Sequence, residues 1–262
     1  MYAEQKCVAC HSTNITTAPA KLARFVAWKA LDVPVDADVD VQGMQCLDCS
    51  FVGSVDRFLP QEEHNLYNDY RGTEYTRIRT ICEPDYPKIT EFIEHDYCDN
   101  RKIGISALIK KHVDVTKITN MLDYGGDTGS MIPDTLVDSN RYVYDISEVP
   151  TIPGVKKYNQ YKSDQPFNFI MCCHVLEHKP DPDDLLEDIK RFGNANTWFY
   201  FEVPNNPNPF IGTFHEHINF YNLTSLTALL ERNGFRIQDH FEYGFSSAIP
   251  CHKNNLCVLA KL

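Results

Sequence analysis

A chain of 262 residues holds one large domain, or a medium domain with a small companion. Apolar residues make up 43% and charged residues 23%, an ordinary soluble balance, while the formal net charge of −11 argues against a broad nucleic-acid surface, where Lys and Arg must neutralise phosphate. The longest apolar runs, FNFIMCC and NTWFYFEV, fall far short of the ~20 residues that span a bilayer, and the opening MYAEQKC has neither the basic nor the apolar region of a secretion signal. A cytoplasmic protein with no membrane or nucleic-acid partner is therefore expected.

The first segment, residues 1–60, carries CVAC at 7–10 and CLDC at 46–49. Each CxxC places two thiolates on one turn, and two such turns complete a tetrahedral zinc site. Cys7, Cys10, Cys46 and Cys49 are the expected ligands of a structural Zn2+, with His11 as an alternative donor. Four cysteines leave no open coordination position, so the metal would stand in for a core that some fifty residues barely assemble. Between the pairs, APAKLARFVAWKALD spaces Leu22, Phe25, Val26, Trp28 and Leu31 as one helix face. Residues 61–100 are rich in tyrosine and charge and read as two helices broken near EPDYP, a helical connector that can also line an acceptor pocket.

From residue 101 to 262 helices alternate with strands. RKIGISALIKKHVD is a helix and KITNMLDYGG a strand; a short helix follows the glycines, then the strands RYVYDI, VKKYN and FNFIMCCHV. The helix DPDDLLEDIKRFG leads to the strand NTWFYFEVP, and after a Pro/Asn-rich loop the helix TSLTALLERNGF leads to the strands RIQDHFEY and NNLCVLAKL. Alternation of this kind implies an α/β, Rossmann-like, doubly wound sheet. The last two strands, with no helix between them, form a hairpin that adds an antiparallel edge strand.

Within LDYGGDTG, the strand end delivers Asp123 to the crevice, the glycines allow a ligand close to the backbone, and the following helix offers free amides. Gly125, Gly126 and Gly129 are not spaced as G-x-G-x-x-G, which disfavours a nucleotide-sugar oxidoreductase. The stretch resembles the first motif, D-x-G-x-G-x-G, of class I S-adenosylmethionine-dependent methyltransferases, with Asp123, Tyr124, Gly125, Gly126 and Gly129 in place and Asp127 at the middle glycine. Aspartate tolerates left-handed backbone better than most residues. Other segments match in the family's order over roughly 100–262. The resemblance implies that Asp145, with Ile146 beside it, meets the ribose hydroxyls and that Asp164 meets the adenine amino group. HVLEHKPDP resembles the segment after the family's fourth strand, which brings Cys173 and His174 to the cofactor site and leaves Glu177 and His178 architectural.

The loop after FEVP carries His215, Glu216 and His217. It resembles the HEH element of methyltransferases that pair an N-terminal zinc-binding unit with this domain, among them sugar C-methyltransferases of deoxysugar pathways and proteins of surface-polysaccharide clusters. That resemblance implies acid/base roles for His217 and Glu216, with His215 beside them; the tyrosine the family places just before them is Phe214 here. The expected function is methyl transfer from S-adenosylmethionine to a small-molecule acceptor such as a sugar, nucleotide sugar or phosphorylated precursor. His217 takes the acceptor's proton, positioned or polarised by Glu216. The alternatives are a zinc-ribbon RNA or protein methyltransferase and a non-catalytic module that keeps the fold.

Overall fold

The computed structural model describes residues 1–92, 98–158, 167–205, 212–244 and 254–262. In chain order the first elements are β1 (Tyr2–Ala3), β2 (Ile15–Leu22), α1 (Arg24–Leu31), β3 (Val39–Cys46), β4 (Val52–Ser54), β5 (Asp56–Arg57), α2 (Pro60–Tyr67), α3 (Thr73–Cys82) and α4 (Tyr86–Phe92). There follow α5 (Cys98–His112), β6 (Asn120–Tyr124), β7 (Asn140–Tyr144), β8 (Val155–Lys157), β9 (Phe169–Cys173), α6 (Pro182–Lys190) and β10 (Trp198–Pro204). The chain closes with β11 (Thr213–Phe214), β12 (Asn219–Phe220), α7 (Leu223–Arg232), β13 (Arg236–Gly244) and β14 (Asn254–Lys261). No helix among the described residues is long and apolar enough to cross a membrane.

The chain divides into two compact units. The first gathers Met1–Glu91, Glu177–Pro182 and Asn206–Leu229; the second gathers Phe92–Leu176, Asp183–Asn205 and Leu230–Leu262. The division differs from boundaries at 60 and 100, and the reason is strand pairing. A five-stranded sheet, β11-β2-β3-β4-β12, takes both of its edge strands from the segment read as a Pro/Asn-rich loop. Thr213 and Phe214 pair in parallel with Lys21 and Leu22, and Asn219 and Phe220 pair antiparallel with Gly53 and Val52. Two-residue strands leave no periodic trace in sequence.

Three further expectations change in this unit. Residues 15–22 form a strand, and the helix begins only at Arg24, so Leu22 lies in β2 and the buried helix positions are Phe25, Val26, Ala27 and Ala30. Most of β2 is exposed, so no alternation of apolar residues announces it. Between 60 and 92 there are three helices where two were expected; the extra break is at Asp69–Gly72, where Asp69 and Arg71 hold φ of 56° and 59°. The core combines Phe25, Val26, Leu66, Tyr75, Ile78 and Tyr86 with Phe214 and Ile218 from the late segment.

The second unit is a seven-stranded sheet in the order β13-β14-β10-β9-β6-β7-β8. Strands β8, β7, β6, β9 and β10 are mutually parallel, and β9 is buried along its whole length, as a central parallel strand must be. The order reverses at β6, the switch point at which open α/β sheets bind ligands. The expected hairpin is present, but the antiparallel strand is not the edge strand: β14 inserts between β10 and β13 and opposes both. Its run of six buried residues, Asn255–Ala260, needs that interior slot, whereas β13 is largely exposed.

No α-helix follows the glycine loop. Residues 125–132 run through turns and bends, and a single 3-10 turn, Asp134–Leu136, stands before β7. Pro133 disfavours the helical conformation of its predecessor and itself holds extended backbone. The free helix amides expected next to Gly129 are therefore replaced by turn amides.

Candidate functional site

In the second unit the candidate site is built around the end of β6. Asp123 is 1% exposed, and neither carboxylate oxygen has a hydrogen-bond partner among the described residues. Burial pushes its carboxyl up to about 7; Arg101 opposes the rise, while Asp145, Glu202 and Asp127 add to it. A buried, unmatched carboxylate is costly unless it meets a donor or a cation. The next turn closes tightly over it: Gly125 holds φ of 73°, and a Cβ there would stand 2.4 Å from Val175 Cγ2. At Gly126 a Cβ would stand 2.4 Å from the Asp123 carboxyl carbon. The orphaned acid under a side-chain-free turn fits the ammonium end of a bound amino acid moiety, such as that of S-adenosylmethionine.

Asp127 adopts φ of 50°, left-handed backbone that a glycine would take freely. Its carboxylate accepts from Ser147 Oγ at 2.9 Å, and its amide donates to Asp145 Oδ2 at 2.8 Å. Asp145 Oδ1 accepts the Ser147 amide at 2.7 Å. Asp145 is thus the anchor of a clasp between two loops, and each of its oxygens keeps a second lone pair for a ribose hydroxyl. Ile146 beside it is 72% exposed.

The remaining expected cofactor residues differ in how they are held. The Tyr124 hydroxyl donates to Asp188 Oδ2 at 2.6 Å and its ring packs on Tyr144 and Phe192, which fixes the side chain in the fold. Cys173 is buried. His174 has φ of 57° and sets Nε2 3.2 Å from Glu202 Oε1. Asp164 lies outside the described residues. Behind the site, Glu202 pairs with Arg101 and accepts hydrogen bonds from Tyr200 and Tyr243 at 2.6 and 2.9 Å. Burial works to raise the Glu202 carboxyl, but Arg101, His174 and Tyr200 outweigh it and hold it down at about 2. This network was not foreseen; a lone glutamate inside the apolar strand WFYFEVP was its one sequence signal.

In the first unit the His-Glu-His segment splits into three environments. His215 is exposed, with Nδ1 3.2 Å from Glu83. Glu216 is buried, and its carboxylate is taken by the Tyr75 hydroxyl and by the Arg79 guanidinium, which also stacks over Phe25 and Tyr86. His217 has Nε2 4.0 Å from Oε1 of Glu177, and its ring meets His178 edge to face at 4.6 Å. Glu177 thus stands beside His217, while Tyr75 and Arg79 draw the Glu216 carboxylate into the tyrosine cluster. His178 in turn sets Nδ1 3.1 Å from the Tyr67 hydroxyl and 3.2 Å from the Glu216 carbonyl. Glu177 and His178, read as architectural, therefore adjoin the histidine expected to act. The tyrosine-rich stretch packs here as a chain of rings, Tyr67 on Tyr70, Tyr70 on Tyr75 and Tyr75 on Tyr86.

The four cysteines of the two CxxC pairs converge, their sulfurs all within 4.8 Å of one another. Cys7 lies 3.6 Å from Cys49 and Cys10 lies 3.6 Å from Cys46, close to the edge of about 3.8 Å in a tetrahedron with Zn–S of about 2.3 Å. Both knuckles have one geometry: the residue after each pair, His11 and Ser50, holds φ near 60° and donates its amide to the first cysteine's carbonyl at 2.8 and 3.0 Å. His11 is exposed as the turn residue and stands outside the sulfur cluster.

Residues 74–240 match the family model described as a methyltransferase domain. No curated protein sequence matches the chain at a significant level. Among solved structures, it resembles an S-adenosylmethionine-dependent methyltransferase from Clostridium acetobutylicum at 13% identity, over 68% of this chain and 98% of that one, with a TM-score of 0.46. A methyltransferase from Leishmania major aligns at 10% identity over 64% and 74%, TM-score 0.48. The magnesium protoporphyrin IX methyltransferase of Synechocystis PCC 6803, solved with S-adenosylhomocysteine, aligns at 13% over 63% and 82%, TM-score 0.45. With well over half of its length matched by the family model, the chain belongs to the methyltransferase-domain family and is an S-adenosylmethionine-dependent methyltransferase.

Proposed function

We propose that the chain methylates a small-molecule acceptor, a sugar, nucleotide sugar or phosphorylated precursor of surface-polysaccharide or natural-product biosynthesis. Bound S-adenosylmethionine supplies an electrophilic methyl group on a sulfonium. The observation that carries the cofactor assignment is Asp123, a buried carboxylate without a partner beneath a turn in which Gly125 and Gly126 leave no side chain. In this reading Asp123 receives the ammonium group. Asp145 receives the ribose hydroxyls, and Gly125, Gly126 and Gly129 shape the loop around the nucleoside.

His217 is assigned the acceptor's proton. An imidazole suits this because its ordinary pKa lies near neutrality. The Glu177 carboxylate, 4.0 Å away, stabilises the imidazolium that forms. Glu216 acts through position only: its ion pair with Arg79 fixes the backbone on which His217 sits. His215, exposed beside Glu83, is given no part in the chemistry. The four cysteines hold a structural Zn2+, which ties the strand β3 knuckle to the N-terminal one.

Calorimetry with S-adenosylmethionine tests the first assignment, and a mass-spectrometric screen for a gain of one methyl over nucleotide sugars and sugar phosphates tests the second. Absence of cofactor binding at millimolar concentration sinks the reading. Binding without transfer to any sugar-derived acceptor removes the substrate class and leaves the cofactor site standing.

A further inference from the structure

Glu177, His178 and His217 form a compact donor set inside the first unit, in which one ligand atom from each lies within 4.8 Å of the other two. Ligands held about 2.1 Å from a common ion stand about 3.0–3.5 Å apart, so the 4.0 Å between His217 Nε2 and Glu177 Oε1 closes with a side-chain shift of about an ångström or less. The two carriers are already fixed to each other. Glu177 and His178 lie on the 3-10 turn Leu176–His178, His217 lies between β11 and β12, and the Ile218 amide donates to the Glu177 carbonyl at 2.9 Å.

The surroundings suit a metal. Metal-ligating histidines generally give their other ring N–H to a carbonyl or similar acceptor. Nδ1 of His178 is held in that way at 3.2 Å from the Glu216 carbonyl, which orients the ring and leaves Nε2 as its second donor position. Glu177 is 1% exposed, and a carboxylate in such a place is best served by a cation. Two imidazoles and one carboxylate favour Zn2+, Co2+ or Ni2+ over Mg2+ or Ca2+, which prefer oxygen donors.

We propose that Glu177, His178 and His217 form a second metal site, separate from the four cysteines, for a divalent transition ion. Three protein ligands leave at least one coordination position for water or an oxygen ligand. A nitrogen that coordinates cannot also take a proton, so the ion competes with the acceptor's proton for His217 and inhibits turnover. The competition rests on His217 being the base; the metal site does not.

The test equilibrates the full chain with excess Zn2+, removes unbound metal by desalting and measures zinc per chain. The wild type is expected to hold one equivalent more than His217→Gln or Glu177→Gln. Equal zinc in the wild type and both variants overturns the site. A spectrum of the wild type loaded with Co2+ guards against a misfolded variant: absorption beyond that of the thiolate-bound ion, and without a sulfur charge-transfer band, is expected, and its absence is also fatal. Retained zinc with undiminished turnover overturns the competition. Failure of His217 as the base shows separately, as unchanged turnover in metal-free His217→Gln.

Discussion

At the scale of single residues, acids of similar appearance in the sequence are held in opposite ways. Asp123 keeps its proton up to about pH 7 in the fold, against about 4 in an unfolded chain. Between those values the folded state binds the extra proton, so the stability of the cofactor-free protein falls as pH rises from about 4 to about 7, by on the order of 4 kcal/mol. Asp123→Asn is expected to flatten that slope in thermal melts across pH and to weaken S-adenosylmethionine by about tenfold or more in calorimetry. Glu216 sits opposite a cation. Its replacement by Gln leaves Arg79, buried beside Tyr75 and Tyr86, with Glu83 as its remaining counter-charge, at a cost of about 1.5–3 kcal/mol readable from urea unfolding. His217→Ala is expected to spare stability and cofactor affinity while lowering turnover ~10²-fold or more in steady-state assays. An unchanged rate rules out the base. The sequence made Asp123, Asp145 and His217 visible because a motif or a triplet surrounds them. It could not make Arg79 visible as the partner of Glu216, or Glu177 as the neighbour of His217, since those pairings are set by tertiary packing across 137 and 40 positions of chain.

At the scale of elements, the strands and helices between residues 98 and 262 were legible where apolar residues gathered in a strand-length run, as in FIMCC and LCVLA, or recurred at helical spacing, as in LTALLER. What escaped was short, polar or conformationally special. The two-residue strands β11 and β12, and β2 with its exposed faces, carry no period to read. The helix expected after the glycines fails at Pro133. Its place as organiser of the loop is taken by the clasp of Asp127, Asp145 and Ser147. Gly125→Ala asks an L-residue to hold φ of 73° against the Val175 side chain. A loss of about 1–3 kcal/mol in chemical unfolding and a weaker cofactor complex are expected. Ser147→Ala removes one arm of the clasp without backbone strain; because Ser147 is buried and its hydroxyl also accepts the Val149 amide, a weaker cofactor complex and a loss of about 0.5–1.5 kcal/mol in chemical unfolding are expected.

At the scale of the molecule, the class of fold and the family followed from the order of strands, helices and motifs, but the partition of the chain did not. A boundary read along the sequence assumes that each unit is continuous, and here three separate stretches build the first one. The two cysteine knuckles belong to that unit, and a structural ion held there would contribute folding energy directly. A strong chelator is accordingly expected to lower the unfolding midpoint and to be reversed by added Zn2+, followed by circular dichroism. A midpoint indifferent to chelation removes the ion from the account.

The edge strands β11 and β12 bear on how the chain comes into being. Synthesis proceeds from the N-terminus, so β2, β3 and β4 emerge more than a hundred residues before the strands that flank them. Until residue 220 is available, both margins of that sheet present bare amides and carbonyls, the arrangement that invites pairing with a foreign strand. Pairing across so long a separation is also slow to close. The unit that carries His217 is therefore a late product of translation. Chains interrupted before residue 213 would be expected to collect as aggregates rather than as a working N-terminal fragment.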